Sequence, residues 1–244
     1  MQVASAFHHA RNYDRHATVQ RVVAEGLAER ILALNLPPQP RVLEIGCGTG
    51  FLGAGLIGRL NHTHYWMTDI APGMLDRARE RFVGCNDISF AQMDGTQPTI
   101  EGPFDLICSS LAMQWIGDLP KAIARLRALL APGGRLAFTT LAAGSFAEWR
   151  SAYGDVMPGT PDYPSAEALH AIGLDVSIET IEQPYQNARD FLAALKAIGA
   201  QTPQPGYHPL PPSSLRQVMA RFEAAGARAH YVVATCVAGA DRED

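Results

Sequence analysis

The chain has 244 residues, 47% hydrophobic and 18% charged, a composition typical of folded globular proteins, which excludes a disordered or fibrous chain. Its formal net charge of −4 argues against a general attraction to nucleic acid or anionic lipid. Residues 1–16 contain no apolar run that could act as a signal peptide, and no stretch reaches the ~18 apolar residues of a membrane span. The four cysteines are scattered, without a C-x-x-C pair. We therefore expect a cytoplasmic protein with reduced thiols.

Helical and strand-like patterns alternate through the first 141 residues. The predicted helices cover residues 18–34, 51–60, 72–82 and 119–130. The predicted strands cover residues 41–46, 64–69, 88–93, 104–110 and 135–141. Strands that alternate with helices at this spacing indicate parallel βαβ units, so the pattern predicts a Rossmann-like, doubly wound α/β fold.

The second half of the chain has a looser pattern. It predicts a helix near 145–154, a half-exposed strand at 174–182, and helices over 188–198 and 213–225. Ser213 is the predicted N-cap of the last helix and Gly226 its predicted stop. Residues 227–239 (ARAHYVVATCVAG) form a strong final strand. We expect one domain over residues 1–244, with helical insertions in its second half.

A glycine loop between the first strand and its helix is the sharpest local signal. Glycines 46, 48 and 50 permit a tight turn, and the following helix N-terminus can receive an anion. The spacing G-x-G-x-G differs from the G-x-G-x-x-G of dinucleotide-binding proteins, and Glu44 precedes the first glycine by two residues. Asp69 ends the second strand, where a carboxylate can accept both ribose hydroxyls, and Asp94-Gly95 follows the third strand.

Together, E-x-G-x-G-x-G, the strand-end Asp69 and the acidic residue after the third strand resemble the class I S-adenosylmethionine-dependent methyltransferases. The resemblance covers roughly residues 40–141 and implies a seven-stranded sheet with an antiparallel last strand. It also implies a cofactor site built from Glu44, Gly46, Gly48, Gly50, Asp69, Ile70, Met74, Asp94, Gly95 and either Ser109 or Ser110. In that site the glycines pass under the methionine part, Asp69 binds the ribose, and Ile70, Met74 and Asp94 face the adenine. The serines would face the sulfonium. An NAD-binding protein is the alternative.

Further segments resemble the malonyl-[acyl-carrier protein] O-methyltransferases of biotin synthesis over nearly the whole chain. They are L-A-x-Q-W at 111–115, F-T-T-L-x-x-G-S at 138–145, L-K-x-I-G-A at 195–200, and Phe7, Tyr13, Ala17 and Gln20 near the N-terminus. The chain departs from the family at His8 and His9, where an Arg usually follows the phenylalanine. The resemblance divides the domain into a lid and helix (1–36), a cofactor-binding core (40–141) and a substrate-side half (142–244).

That resemblance implies methyl transfer from S-adenosylmethionine to the free carboxylate of a malonyl thioester, with S-adenosylhomocysteine as product and no metal. The thioester would be carried by an acidic acyl-carrier protein or by coenzyme A; we expect no nucleic acid or membrane partner, and a monomer. Two alternative functions remain. One is a related enzyme that methylates trans-aconitate or a quinone ring, and the other is a cofactor-binding interaction protein without catalysis. The L-A-x-Q-W segment also resembles the trans-aconitate enzyme.

Candidates for the substrate side are Tyr13, Gln114 and Trp115 as catalytic residues, and Arg150 and Lys196 as binders of a carboxylate or of the carrier's phosphate. Each has a structural alternative: a surface aromatic for Tyr13, core packing for Trp115, and solvated charges for the two cations. A carboxylate with a pKa of ~4 is already ionised, so a strong general base is not required. Stretches 119–130 and 188–225 are rich in cations and would dock an acidic carrier if they meet in space.

Overall fold

The computed structural model describes residue 14 and residues 17–61, 64–197, 204 and 206–239. Seven strands form one sheet: β1 (Arg41–Ile45), β2 (His64–Asp69), β3 (Ile88–Gln92), β4 (Phe104–Ser109), β5 (Leu130–Leu141), β6 (Asp175–Pro184) and β7 (Arg228–Gly239). The α-helices are α1 (Thr18–Leu32), α2 (Phe51–Leu56), α3 (Pro72–Arg81), α4 (Leu119–Arg127), α5 (Ala147–Ala152), α6 (Ala166–Ala171), α7 (Ala188–Ala197) and α8 (Pro212–Ala224). A 3₁₀ turn covers Met113–Trp115. Within these residues, no helix is both long and apolar enough to span a bilayer.

The sheet has the strand order β3-β2-β1-β4-β5-β7-β6. Strands β1 to β5 pair in parallel, whereas β7 runs antiparallel to both β5 and β6. The predicted α/β fold with an antiparallel last strand is therefore confirmed. The strand order reverses between β1 and β4, and in such sheets a crevice opens at the carboxyl ends of the strands at that reversal.

The helices cover both faces of the sheet. Successive residues of β7 point to opposite faces: Tyr231 and Val233 pack with α7 and α8, while Ala234 and Cys236 pack with α4. The cation-rich stretches 119–130 and 188–225 thus pack against opposite faces of the sheet, and the structure does not join them into one surface. The carboxyl-terminal half of α1 packs on a third cluster with α2 and α3.

Three local features differ from the sequence prediction. The short helix α6, capped by Ser165, was not predicted, because Leu169 is its one buried residue and no apolar period exists. Helix α8 begins one residue early, with Pro211 and not Ser213 at its N-cap, although Gly226 (φ +100°) follows its end as predicted. Strand β5 starts five residues before the predicted strand, at Leu130.

Candidate active site

A cavity of about 270 Å³ lies at the strand-order reversal between β1 and β4. Its walls come from the loop between β1 and α2, the residues that follow β2 and β3, the segment after β4, and one face of α1. The structure brings together most of the cofactor residues predicted from the sequence: Glu44, Gly46, Gly48, Asp69, Ile70, Met74, Asp94, Gly95 and Ser110 all line this cavity.

The glycine loop needs its glycines for two different reasons. Gly46, Gly48 and Gly50 all have positive φ, at +64°, +55° and +87°, a region that other residues enter only at a cost. A Cβ on Gly46 would also lie 2.4 Å from the Cβ of Ala112, so the fold itself excludes a side chain there. At Gly48 a Cβ would meet no atom within 4 Å, and the backbone is therefore open to the cavity. Gly50 is the N-cap of α2.

Asp69 ties the end of β2 to this loop. Its Oδ2 accepts a hydrogen bond from the Gly48 N–H at 2.9 Å, and its Oδ1 accepts one from the Ala71 N–H at 2.8 Å. The side chain is 8% exposed, and burial raises the pKa of its carboxyl, an effect that the backbone hydrogen bonds oppose. Each carboxylate oxygen retains acceptor capacity for a ligand hydroxyl.

Glu44 lies at the base of the cavity and is 1% exposed. The Tyr65 hydroxyl donates a 2.8 Å hydrogen bond to its Oε2. Burial raises the pKa of Glu44 to about 8; the hydrogen bond from Tyr65 lowers it, and the Asp69 charge raises it further. Glu44 is therefore a carboxyl that a nearby cation would convert to its ionised form.

The residues after β2 and β3 form an apolar slot with one carboxylate at its rim. Ile70, Met74 and Met93 supply the apolar surface, and Asp94 lies exposed at the edge. The Asp94 Oδ1 accepts hydrogen bonds from the backbone N–H of Thr96 at 2.8 Å and from its hydroxyl at 2.7 Å, which fixes the carboxylate in a tight turn. This arrangement suits a flat ring that has an amino group at its edge.

The two serines at the end of β4, its last residue Ser109 and the next residue Ser110, differ in position. Ser110 lines the cavity, whereas Ser109 is 1% exposed and is not among the described lining residues. The next residue, Leu111, has a φ of +47°, which is strained for a residue with a branched side chain. Its N–H donates to the Thr139 hydroxyl at 3.0 Å, and its carbonyl accepts from the Gln114 side-chain amide at 2.7 Å.

This geometry separates the two neighbouring catalytic candidates. Trp115 lines the cavity, while Gln114 is not among the described lining residues and uses its Nε2 to support the strained turn at Leu111. Tyr13 lies outside the described residues. Lys196 is exposed on α7.

Arg150 bonds within its own region of the chain. Its guanidinium pairs with Asp162 at 2.6 Å and donates to the carbonyls of Thr160 and Pro161. It thus holds the segment that follows α5, and it is not among the described residues that line the cavity.

The part of the cavity wall that α1 contributes was not predicted from the sequence. Gln20 and Ala24 lie one helical turn apart on α1 and face the same cavity as the glycine loop. Phe51, Leu111 and Ile116 also line it. Gln20 was noted only as part of an N-terminal pattern; as a polar side chain on the otherwise apolar face that carries Val19 and Val23, it could have been identified.

The charge of the cavity selects the type of ligand. Among the described lining residues there are three carboxyl side chains and no Lys or Arg. A dinucleotide would bring two phosphates into this setting, whereas a nucleoside with a sulfonium and an ammonium group would bring compensating positive charge. The residues present therefore fit S-adenosylmethionine, and they disfavour NAD. No metal-binding group of three or more His, Cys, Asp or Glu occurs in the described part of the chain.

Known proteins give an independent comparison. A family model described as a methyltransferase domain matches residues 43–136. A malonyl-[acyl-carrier protein] O-methyltransferase of Magnetococcus marinus is 40% identical over 227 residues, which are 89% of this chain and 84% of that protein. The chain belongs to the malonyl-[acyl-carrier protein] O-methyltransferase family. The resemblance predicted from the sequence motifs is therefore confirmed.

A second relative is longer than this chain. The biotin biosynthesis bifunctional protein BioCD of Bordetella avium is 44% identical over 91% of this chain, and the chain spans about half (48%) of that relative's length. Among solved structures, the YcgJ protein of Bacillus subtilis superposes with a TM-score of 0.63 at 14% identity, covering 90% of this chain and 99% of that one. This structural likeness supports the methyltransferase fold alone.

Proposed function

We propose that this protein transfers a methyl group from S-adenosylmethionine to the free carboxylate of a malonyl thioester. The cavity carries this proposal. Its described wall contains the open backbone of Gly48 and the carboxylate of Asp69, and it contains no Lys or Arg. The chain that forms it belongs to the malonyl-[acyl-carrier protein] O-methyltransferase family. When bound, S-adenosylmethionine supplies the methyl group: an oxygen–carbon bond forms as the sulfonium–carbon bond breaks, and no proton is transferred.

The cofactor would be held at three points. Gly48 leaves room for its amino-acid end, Asp69 accepts from the ribose hydroxyls, and Asp94 accepts from the amino group of adenine. Ile70 and Met74 pack against the ring. The raised pKa of Glu44 leaves this carboxyl mostly protonated at neutral pH, so binding of a cationic ligand would release its proton.

The malonyl carboxylate is a ready nucleophile, because its pKa of ~4 leaves it ionised at neutral pH. The chain's task is therefore to orient this group and to remove water from it. We assign this task to three neutral polar side chains of the cavity wall: the amide of Gln20, the hydroxyl of Ser110 and the indole of Trp115. Neutral donors can orient the carboxylate without the strong stabilisation that a paired Lys or Arg would give it. Tyr13 is proposed as a further donor from the segment before α1.

An acidic carrier protein would dock on the face of α7 and α8. Arg189 and Lys196 lie seven residues apart on α7, and Arg216 lies near the start of α8. All three are exposed, and they form no ion pair with any described residue. The two helices that carry these cations are neighbours: they pack together through Phe191 and Phe222, whose ring centroids are 5.0 Å apart.

The activity is tested by incubating the purified protein and labelled S-adenosylmethionine with malonyl-carrier protein, malonyl-CoA or trans-aconitate. A labelled methyl ester on a malonyl thioester supports the proposal. If only trans-aconitate is labelled, the substrate is a free acid and the proposal is wrong. If no substrate is labelled, the alternative of a cofactor-binding protein without catalysis is favoured.

Docking is tested with Arg189→Glu combined with Arg216→Glu. We expect a KM for malonyl-carrier protein at least tenfold higher and a KM for malonyl-CoA nearly unchanged, because only the carrier would bring an acidic protein surface to these cations. Lys121→Glu is the matched control, since Lys121 is an exposed cation on α4, across the sheet from α7 and α8. An equal effect of the control would refute the assigned face.

A further inference from the structure

Asp14 connects the segment before α1 to the cofactor loop. The Thr49 hydroxyl donates to its Oδ1 at 2.7 Å, and the Arg81 guanidinium donates to its Oδ2 at 2.6 Å. Both carboxylate oxygens are thus bound by elements that lie 35 and 67 residues further along the chain. Thr49 belongs to the glycine loop and lines the cavity.

Arg81 holds the loop and Asp14 together. Its Nε donates to the Thr49 carbonyl at 2.7 Å, while its Nη2 pairs with Asp14. The guanidinium also lies over the ring of Phe51, 5.0 Å from the centroid. From α1, Arg21 lies 5.2 Å from the same centroid and donates to the Asp14 carbonyl at 3.3 Å. Phe51 itself lines the cavity, so this cluster touches the site at two positions.

This cluster contributes little to the stability of the fold, so its main effect is to position Asp14 relative to the glycine loop. The side chains of Arg81 and Asp14 are 30% and 45% exposed, and ion pairs with that much solvent contact stabilise a fold little. Thr49, in contrast, is 2% exposed and sits in the cavity wall. A change at Asp14 is therefore transmitted to the wall of the site without loss of core packing.

We propose that Asp14, Arg81 and Thr49 form a clamp that holds the chain at Asp14 against the cofactor loop during methyl transfer. This inference rests on the proposed function, and it assigns positioning roles to Asp14 and Arg81. Asp14 directly follows Tyr13, the donor proposed from the sequence, so the clamp fixes the chain at the residue next to that donor. Orientation of this kind acts on the rate of the chemical step.

The test compares Asp14→Asn, Arg81→Gln and the double variant. We expect kcat to fall about tenfold in each single variant and no further in the double variant, because both residues belong to one hydrogen-bonded cluster that either change opens. KM for the malonyl substrate and the melting temperature should stay near wild type. Arg79→Gln is the matched control: it removes an exposed ion pair, Arg79 with Asp76, from the same helix without touching the clamp. Its kcat should equal that of the wild type.

Two kinetic outcomes would overturn the clamp: a wild-type kcat in Asp14→Asn, or losses in the double variant that multiply. A second readout separates this failure from failure of the proposed function. In hydrogen exchange, adding cofactor should protect the peptide 10–17 in the wild type and leave it unprotected in Asp14→Asn. If the wild type makes no methyl ester but the exchange of peptide 10–17 still differs between wild type and Asp14→Asn, the proposed reaction is wrong and the proposed clamp is supported. If the exchange difference is absent, the clamp is refuted.

Discussion

Substitution of Gly48 by alanine separates the stability of the glycine loop from its proposed role in binding. The new methyl group would meet no protein atom within 4 Å, so it creates no clash within the fold. The backbone at φ +55° remains a left-handed conformation, which costs an L-residue about 1 kcal/mol. For a chain of this length, that cost lowers the melting temperature by about 2–4 °C.

The effect on cofactor binding is expected to be larger. Because Gly48 lines the cavity, the methyl group takes space at the surface over which the cofactor's amino-acid end would lie. We expect the Kd for S-adenosylmethionine to rise at least tenfold, which corresponds to about 1.4 kcal/mol. Gly46→Ala would not give this information, since its Cβ would lie 2.4 Å from that of Ala112 and the fold would also be damaged.

Gly84→Ala is the matched control for this measurement. Gly84 has φ +88°, a Cβ there would also meet no atom within 4 Å, and it lies outside the cavity wall. Titration calorimetry should therefore show an unchanged Kd for Gly84→Ala together with a comparable loss of melting temperature. If Gly48→Ala binds the cofactor as tightly as this control does, the cofactor does not pass over the glycine loop and the assignment is refuted.

Three further predictions concern the carboxyl groups and the strained turn. The pKa of Glu44 lies near 8 in the fold against an ordinary 4.5, so the native state binds the proton more tightly and stability falls as pH rises from 4.5 to 8. In urea unfolding, the wild type should lose about 1 kcal/mol per pH unit relative to Glu44→Gln between pH 5.5 and 7.5; parallel curves would contradict the raised pKa. Asp69→Ala should weaken cofactor binding at least tenfold and destabilise the fold by about 1–3 kcal/mol, because the Gly48 N–H loses its acceptor. Calorimetry measures the change in binding and urea unfolding the change in stability. Unchanged binding would show that Asp69 does not contact the ribose. Gln114→Met should cost about 1 kcal/mol and raise KM for the malonyl substrate, since the Leu111 carbonyl loses its donor; if kcat alone falls and KM is unchanged, Gln114 acts in the chemical step and not as a support.

The cofactor half of the site could be predicted from the sequence because it is built from local patterns. A strand followed by positive-φ glycines, and a carboxylate at the end of the next strand, place Gly48 and Asp69 side by side in any fold of this order. Their 2.9 Å hydrogen bond joins residues 21 positions apart in a single βαβ unit. Such contacts follow from spacing alone.

The contacts of the remaining candidate residues could not be predicted in the same way, because they follow no local sequence pattern. That Arg150 binds Asp162, or that Asp14 reaches Arg81, depends on how helices pack and not on any local period. The two serines at the end of β4 illustrate this limit. The sequence left Ser109 and Ser110 equivalent, whereas the structure buries Ser109 as the last residue of the strand and places Ser110 in the cavity wall.

The division into a cofactor core and a substrate-side half also proves less sharp than the sequence suggests. Helix α1 supplies Gln20 to the cavity, and its neighbours Val19 and Val23 pack on the aromatic cluster that α7, α8 and β7 form. Leu111 belongs to that cluster and also lines the cavity. A fragment of residues 40–141 would therefore retain the glycine loop but lose α1 as a wall and the packing behind Leu111. The inserted helices therefore support the wall of the candidate cofactor cavity, because that wall packs on the same buried cluster.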